Sequence, residues 1–194
     1  MILLRSFYVE QDACAAARSL LGKVIATHFD GVLTTGVITE TEAYMGIGDK
    51  ASHAHNGKRT KRNEAMYASG GTAYVYLCYG IHHLFNVVVL EAEVPHAVLI
   101  RAIHPMEGIE HMVARRPSAR TSTGGPGTLT QALGITVQHD GVDLTGQRIW
   151  VEDRAISVPD DRIVVGPRIG VPYAKEDALL PYRYRIAPSH LLLP

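Results

Sequence analysis

Two acids open the chemical reading. Glu40 and Glu42 stand two apart in Ile38-Thr-Glu-Thr-Glu-Ala-Tyr44, and on an extended strand that spacing turns both carboxylates to one face. Carboxylates are mostly exposed, so an exposed strand face is one reading. The other is a general base or electrostatic stabiliser at the lip of a pocket. Downstream, Lys50 to Arg62 carries Lys50, Lys58, Arg59, Lys61 and Arg62 with His53 and His55 and no acid. In a neutral protein such a local excess of positive charge has the character of a phosphate-binding surface. Tyr74, Tyr76 and Tyr79 then crowd one strand and its turn, and Tyr44 lies beside the acids. Alternate tyrosines on a strand are often plain amphipathic packing. Beside a basic loop and paired carboxylates they also suit an enzyme that stacks a nucleobase and holds its backbone. Asn86 and Arg101 interrupt otherwise apolar strands, and each must find a polar partner, for which a pocket is a natural place.

The ten histidines invite a metal reading, but His53-Ala-His55 and His82-His83 are the only close pairs and neither forms a His-Glu-x-x-His helix. Cys14 and Cys78 are too few for a thiolate zinc site or a disulfide framework. The sequence predicts no metal and no cofactor. A metal-dependent hydrolase using Glu40, Glu42, His53 and His55 is the alternative, which a chelator tests.

The elements that must position these residues read as follows. Asp12 to Leu21 repeats apolar residues at helical spacing between a capping Asp12 and Gly22. Lys23 to Phe29 and Val32 to Glu40 flank Asp30-Gly31, a strong hairpin signal. Periodicity disappears from Ala43 to Ser69, a long irregular stretch of the kind that is usually functional or mobile. Strands follow at Thr72 to Tyr79, Leu84 to Leu90 and Ala97 to Ile103, with a bend at Tyr79-Gly80. Helices are expected over Pro105 to Arg116 and Thr128 to Leu133, and strands again at Arg148 to Glu152 and Arg162 to Gly166. Strand-turn-strand order without alternating crossover helices favours an antiparallel or mixed sheet in a mixed α/β fold.

The 194 residues carry 19 Lys+Arg against 19 Asp+Glu and are 46% apolar, which fits one domain over residues 1–194 with a substantial core and excludes a disordered or low-complexity chain. No apolar run reaches the length of a membrane span, and the first residues lack the pattern of a secretory signal. The expectation is a cytoplasmic protein, nucleoid-associated if bacterial, with no membrane partner.

Several motifs in order carry a resemblance: Thr39-Glu-Thr-Glu-Ala-Tyr, His53, Arg59-Thr-Lys-Arg-Asn, Gly71-Thr-Ala-Tyr-Val-Tyr-Leu-Cys-Tyr-Gly, Phe85-Asn-Val, Leu99-Ile-Arg-Ala, Gly124-Gly-Pro-Gly-Thr-Leu-Thr-Gln-Ala-Leu-Gly and Arg168-Ile-Gly-Val. Together they resemble the alkyladenine (3-methyladenine) DNA glycosylase family over nearly the whole chain. The resemblance implies a single mixed α/β domain with a curved antiparallel sheet flanked by helices, and a protruding β-hairpin that enters the DNA minor groove. It implies Glu42 as the base that activates a water and Arg101 as the arginine that helps hold that water. Tyr44, His53 and Tyr76 match the walls around a flipped base, and Asn86 the residue that crowds the two-amino group of guanine. Tyr79 matches the minor-groove wedge, while Lys58, Arg59, Lys61 and Arg62 are expected to meet phosphates. The implied activity is monofunctional removal of alkylated or deaminated purines from double-stranded DNA by a monomer, leaving an abasic site. A non-catalytic minor-groove DNA-binding protein, with Tyr79 as wedge and Glu42 incidental, is the remaining reading.

Overall fold

In the computed structural model, residues 1–116 and 123–192 are described. Two short helices open the chain, α1 (Arg5–Val9) and α2 (Ala13–Ser19). The Asp12 carboxylate accepts from the Ala15 amide at 2.9 Å and so caps α2, while Ala13, Ala16 and Ala17 bury its inner face. The expected hairpin follows as β1 (Val24–Phe29) and β2 (Val32–Tyr44). Asp30 and Gly31 both take positive φ, 52° and 78°, which is the twist a tight antiparallel turn requires.

The remaining strands are β3 (Ala73–Cys78), β4 (His82–Val89), β5 (His96–Glu107), β6 (Ile149–Glu152), β7 (Val164–Gly166) and β8 (Arg183–Arg185). They pair antiparallel in the order β3-β4-β5-β2-β1-β6, and β8 joins β2 beyond the end of β1 with β7 outside it. The sheet curls and is flanked by helices. One side packs α2 and α4 (Pro126–Leu133) around Leu20, Ile25, Ile38, Phe85, Ile100, Leu129 and Leu133, all buried. β2 is the centre: β5 lies along one edge, and β1 then β8 along the other. Its register against β5 slips on both sides of Glu40, a bulge of the kind that re-aims side chains.

One expectation is corrected. The helix read over Pro105 to Arg116 is confined to α3 (Ile109–Ala114), and Pro105, Met106 and Glu107 extend β5. β4 pairs β5 over His96–Leu99, and past Leu99 the strand described beside β5 is β2, so a proline without an amide hydrogen is tolerated there. Gly108, at φ 68°, turns the chain into α3, and a Cβ on it would come within 2.3 Å of the Leu33 carbonyl oxygen. Residues 117–122, between α3 and the Gly124-Gly-Pro-Gly run that leads into α4, lie outside the described residues.

The irregular stretch after β2 is pinned by side chains. Asp49 accepts from the amides of Met45 and Ala51. Asn63 accepts from the Thr60 amide and donates to the carbonyls of His53 and Lys58. At the tip of the β3–β4 hairpin, Tyr79 and Gly80 take φ 50° and 73°, and the Ile81 amide closes the turn on the Cys78 carbonyl. Among the described residues no helix is long and apolar enough to cross a membrane.

Candidate active site

A row of opposed residues crosses four strands: Glu42 on β2 faces Leu99 on β5, Leu99 faces Asn86 on β4, and Asn86 faces Tyr74 on β3. Directly opposed residues share a face, so pairing alone gathers side chains that are far apart in sequence. Alternation adds Tyr44, Tyr76, Ala97 and Arg101 to the same face. His53 and Tyr173, from irregular segments, close the sides of a pocket lined by Tyr44, Ala51, Met66, Tyr74, Tyr76, Asn86 and Ala97.

Glu42 is fully buried beside this pocket, which removes the exposed-face reading for it. Three donors reach its carboxylate: the Ile169 amide at 2.7 Å, the Tyr44 hydroxyl at 3.0 Å and Arg101 Nη1 at 3.3 Å. Burial pushes the Glu42 carboxyl above its usual range, while Arg101, the Ile169 amide and the Tyr44 hydroxyl pull it back down. Burial, and next the Glu42 charge, raise the Tyr44 phenol well above its ordinary value, so Tyr44 is a neutral donor. Glu40 also reaches Arg101, at 3.2 Å from Nε. The two acids therefore do share a face, with one arginine between them.

Behind Tyr44 lies a second charged pair. Arg168 and Asp49 are both buried and bonded through two guanidinium nitrogens, Nη2 at 2.8 Å. Arg168 also donates to the carbonyls of Ala43 and Asp177. Its guanidinium lies 4.9 Å from the centre of the Tyr44 ring and 5.2 Å from that of Tyr182. Burial alone would raise the Asp49 carboxyl, yet its bonds to Arg168, Ala51 and Met45 hold it below the ordinary carboxylate range. Arg168 thus fixes the back of Tyr44 and, one residue on, the amide that meets Glu42.

His53 Nδ1 lies 2.7 Å from the Tyr74 hydroxyl, and its ring stands edge-on to Tyr76 with centroids 4.6 Å apart. Burial, with Arg62 and Lys58 adding to it, lowers the imidazole to about 4, so it is neutral at pH 7. Asn86 is buried, donates to the Tyr74 carbonyl at 3.0 Å and lines the pocket.

The remaining residues singled out in the sequence lie outside the pocket lining. Tyr79 is 89% exposed at the hairpin tip. Lys58 and Lys61 are exposed. Arg62 is exposed too, donating to the Leu77 carbonyl and lying 5.2 Å from the Tyr76 ring centre. Arg59 is engaged within the protein: it pairs with Glu64 and Glu93 at 2.6 Å each and covers Tyr67. No metal cage forms from the four residues weighed for one. Glu40 and Glu42 face arginines, His53 meets Tyr74, and His55 Nδ1 meets the Ile47 carbonyl. No group of three metal-binding side chains converges among the described residues.

Three contributors escaped the sequence reading: the Tyr74 hydroxyl on His53, the Arg168–Asp49 pair, and the Ile169 amide on Glu42. Arg168-Ile-Gly-Val carried part of the resemblance, but nothing in a lone arginine 126 positions after Glu42 announces that contact.

The family model described as methylpurine-DNA glycosylase matches residues 6–190. Curated proteins bearing the name 3-methyladenine DNA glycosylase are similar over almost their whole length. That of Chlamydia abortus is 45% identical, covering 94% of this chain and 97% of its own. That of Clostridium perfringens is 42% identical over 96% of each chain, and that of Bacillus thuringiensis 41% identical over 92% of each. A match that spans fold and pocket alike gives the buried acid and its tyrosine-lined pocket their context: the chain belongs to the methylpurine-DNA glycosylase family and is a 3-methyladenine-type DNA glycosylase, a repair enzyme that hydrolyses N-glycosyl bonds in DNA.

Proposed function

We propose that the enzyme flips an alkylated or deaminated purine out of duplex DNA into this pocket and hydrolyses its glycosidic bond with a water activated by Glu42, leaving an abasic site. The observation that carries the reading is the fully buried Glu42 carboxylate beside a pocket walled by Tyr44, His53, Tyr76 and Asn86. A base with pKa raised by burial accepts a proton more readily than a solvated carboxylate. The water gives its proton to Glu42 and its oxygen to the sugar carbon, while the bonding electrons leave with the base. Arg101, bonded to the same carboxylate oxygen as Tyr44, helps hold that water and balances charge as the carboxylate is neutralised.

His53 and Tyr76 touch, so no ring fits between them; they act as one wall, and Tyr44 is the opposing face. Stacking contributes roughly 1–3 kcal/mol per base. Asn86, fixed by the Tyr74 carbonyl, crowds a two-amino substituent and so disfavours undamaged guanine. Alkylation makes the purine a better leaving group, so no strong acid is needed. Among the described residues lining the pocket there is no lysine to form a covalent sugar adduct, which supports a monofunctional reaction. Tyr79 fills the gap left in the stack, and Lys58, Lys61 and Arg62 meet phosphates, with a smaller part for Arg59, which Glu64 and Glu93 already hold. The reading takes the enzyme as a monomer acting on damaged duplex DNA in a reducing cytoplasm.

Glu42→Gln tests it under single-turnover conditions on a duplex carrying one ethenoadenine. Base release should fall about 10²–10⁴-fold, the loss typical of a positioned general base, with DNA affinity retained. Glu40→Gln should be much milder at neutral pH. A near-normal rate for Glu42→Gln would remove the assignment, and a wild-type protein that binds without releasing base would leave only a minor-groove binder.

A further inference from the structure

Glu42 does not hold Arg101 by itself. Arg101 reaches Glu40 with Nε at 3.2 Å and Glu42 with Nη1 at 3.3 Å. Glu40 in turn accepts from Arg183 Nη1 at 3.2 Å, and Arg183 Nε donates to the Pro167 carbonyl at 2.9 Å. Two residues beyond Pro167 is Ile169, whose amide meets Glu42 at 2.7 Å. Both charged arms of this loop come from strands flanking β2: Arg101 from β5 and Arg183 from β8, which pairs with β2 from Glu40 to Glu42. The β2 bulge sits at Glu40. The side chains of Arg101, Glu40 and Arg183 are only 14%, 18% and 20% exposed, so their charges act on one another with limited screening.

We propose that Glu40 and Arg183 form a positioning pair that sets Glu42 from two sides, by restraining Arg101 and by holding the Pro167–Ile169 backbone. Neither residue touches the reacting atoms. The proposal rests on Glu42 being the base. It explains why a second acid, with its own desolvation cost, stands beside the first: Glu40 draws on Arg101 through Nε, so the guanidinium is shared between the two acids and is not committed to Glu42 alone.

The charges around Glu42 give opposite signs for the two halves of the pair. Facing or near Glu42 are Glu40 and Tyr44 from β2, Arg101 from β5, Tyr76 from β3, Arg183 through Glu40 from β8, and Arg168 with the Ile169 amide from the segment after β7. Release requires ionised Glu42 and falls as pH drops through its pKa. Glu40→Gln removes a negative neighbour and frees Arg101 for Glu42, so the ionised form persists to lower pH and the acid limb moves down. Arg183→Gln removes a positive neighbour and leaves Glu40 to draw Arg101 away, so the acid limb moves up. In the double variant the two shifts oppose and the midpoint returns toward wild type.

Single-turnover base release against pH, with wild type, both single variants, the double variant and Glu42→Gln, decides the matter. The plateau rates of the single variants should fall by about ten-fold, less than the 10²-fold that a 1 Å misplacement can cost. Midpoints that move together, or do not move, would overturn the proposal, because a merely loosened fold lowers rates without opposite shifts. Should Arg183→Gln fold poorly, Arg183→Lys keeps the charge but gives up the geometry of the Pro167 bond. It should then lower the plateau and leave the midpoint in place, and a wild-type plateau would overturn the positioning role. A rapid Glu42→Gln would strike the base assignment itself, whereas an inactive Glu42→Gln beside unshifted Glu40 and Arg183 variants would strike the positioning pair alone.

Discussion

Around Glu42 each acid and guanidinium already has a partner within the protein: Arg101 and Arg183 for the two acids, Asp49 for Arg168. The residues of the rim are instead turned to the outside. Tyr79 and Ile81 are 89% and 68% exposed on the β3–β4 tip, and Lys58, Lys61 and Arg62 face outward nearby in the pocket wall's own loop. The interior is arranged before any substrate arrives, as a site must be that works by fixed dipoles and charges. The rim displays an aromatic ring and cations open to a second molecule, a place that the proposed reading gives to a DNA duplex. The strained left-handed backbone at Tyr79 fits that division, since such strain persists where a side chain must be aimed.

Breaking the interior should cost most. Asp49→Ala leaves Arg168 buried without its carboxylate, and removing one partner of a buried pair costs about 3–5 kcal/mol. Denaturant unfolding should register that loss, and base release should drop with it because Tyr44 and Ile169 lose their anchor. A change under about 1 kcal/mol would show that the interior is less tightly arranged than the hydrogen bonds indicate.

The rim gives smaller effects that depend on the substrate. Tyr79→Ser should lower excision from duplex roughly ten-fold, a part of the few kcal/mol that unstacking costs. Single-stranded or bulged substrates, where flipping is cheap, should lose less. Equal losses on both would move Tyr79 from the rim into the interior class.

The smallest effect sharpens the division inside the basic loop itself. Neutralising Lys61 or Arg62 should each reduce the salt slope of log affinity by about 0.9 on duplex DNA, for lesion and undamaged duplexes alike. Arg59→Gln should reduce it less, because Glu64 and Glu93 already hold that guanidinium. Affinities measured over a range of salt concentrations compare the three. An Arg59 slope as large as that of Lys61 would mean that DNA displaces both carboxylates.

Local signals carried the reading where physics is local. The Asp12 cap, the Asp30-Gly31 turn and the alternation of β3 and β4 depend on neighbours a few residues away, and each stands as read. Pro105 did not, because whether a proline starts a helix or rides an edge strand depends on which strand lies beside it. Glu40 and Glu42 were visible as a pair, but their spacing did not tell them apart, since the same spacing serves an exposed face and a buried base; only the resemblance singled out Glu42.

The sequence by itself determined the residue types of the pocket, the strand alternation that puts Glu40 with Glu42 and Tyr74 with Tyr76, and, through motifs in order, the family. Only the tertiary structure decided which acid is sealed from water, that Arg101 stands between the two, and that Arg168 and the Ile169 amide return to β2 from the other end of the chain. Burial and hydrogen bonding depend on what packs from outside a segment, and strand pairing across β2, β3, β4, β5 and β8 brings together residues whose separation in the chain carries no trace of their contact.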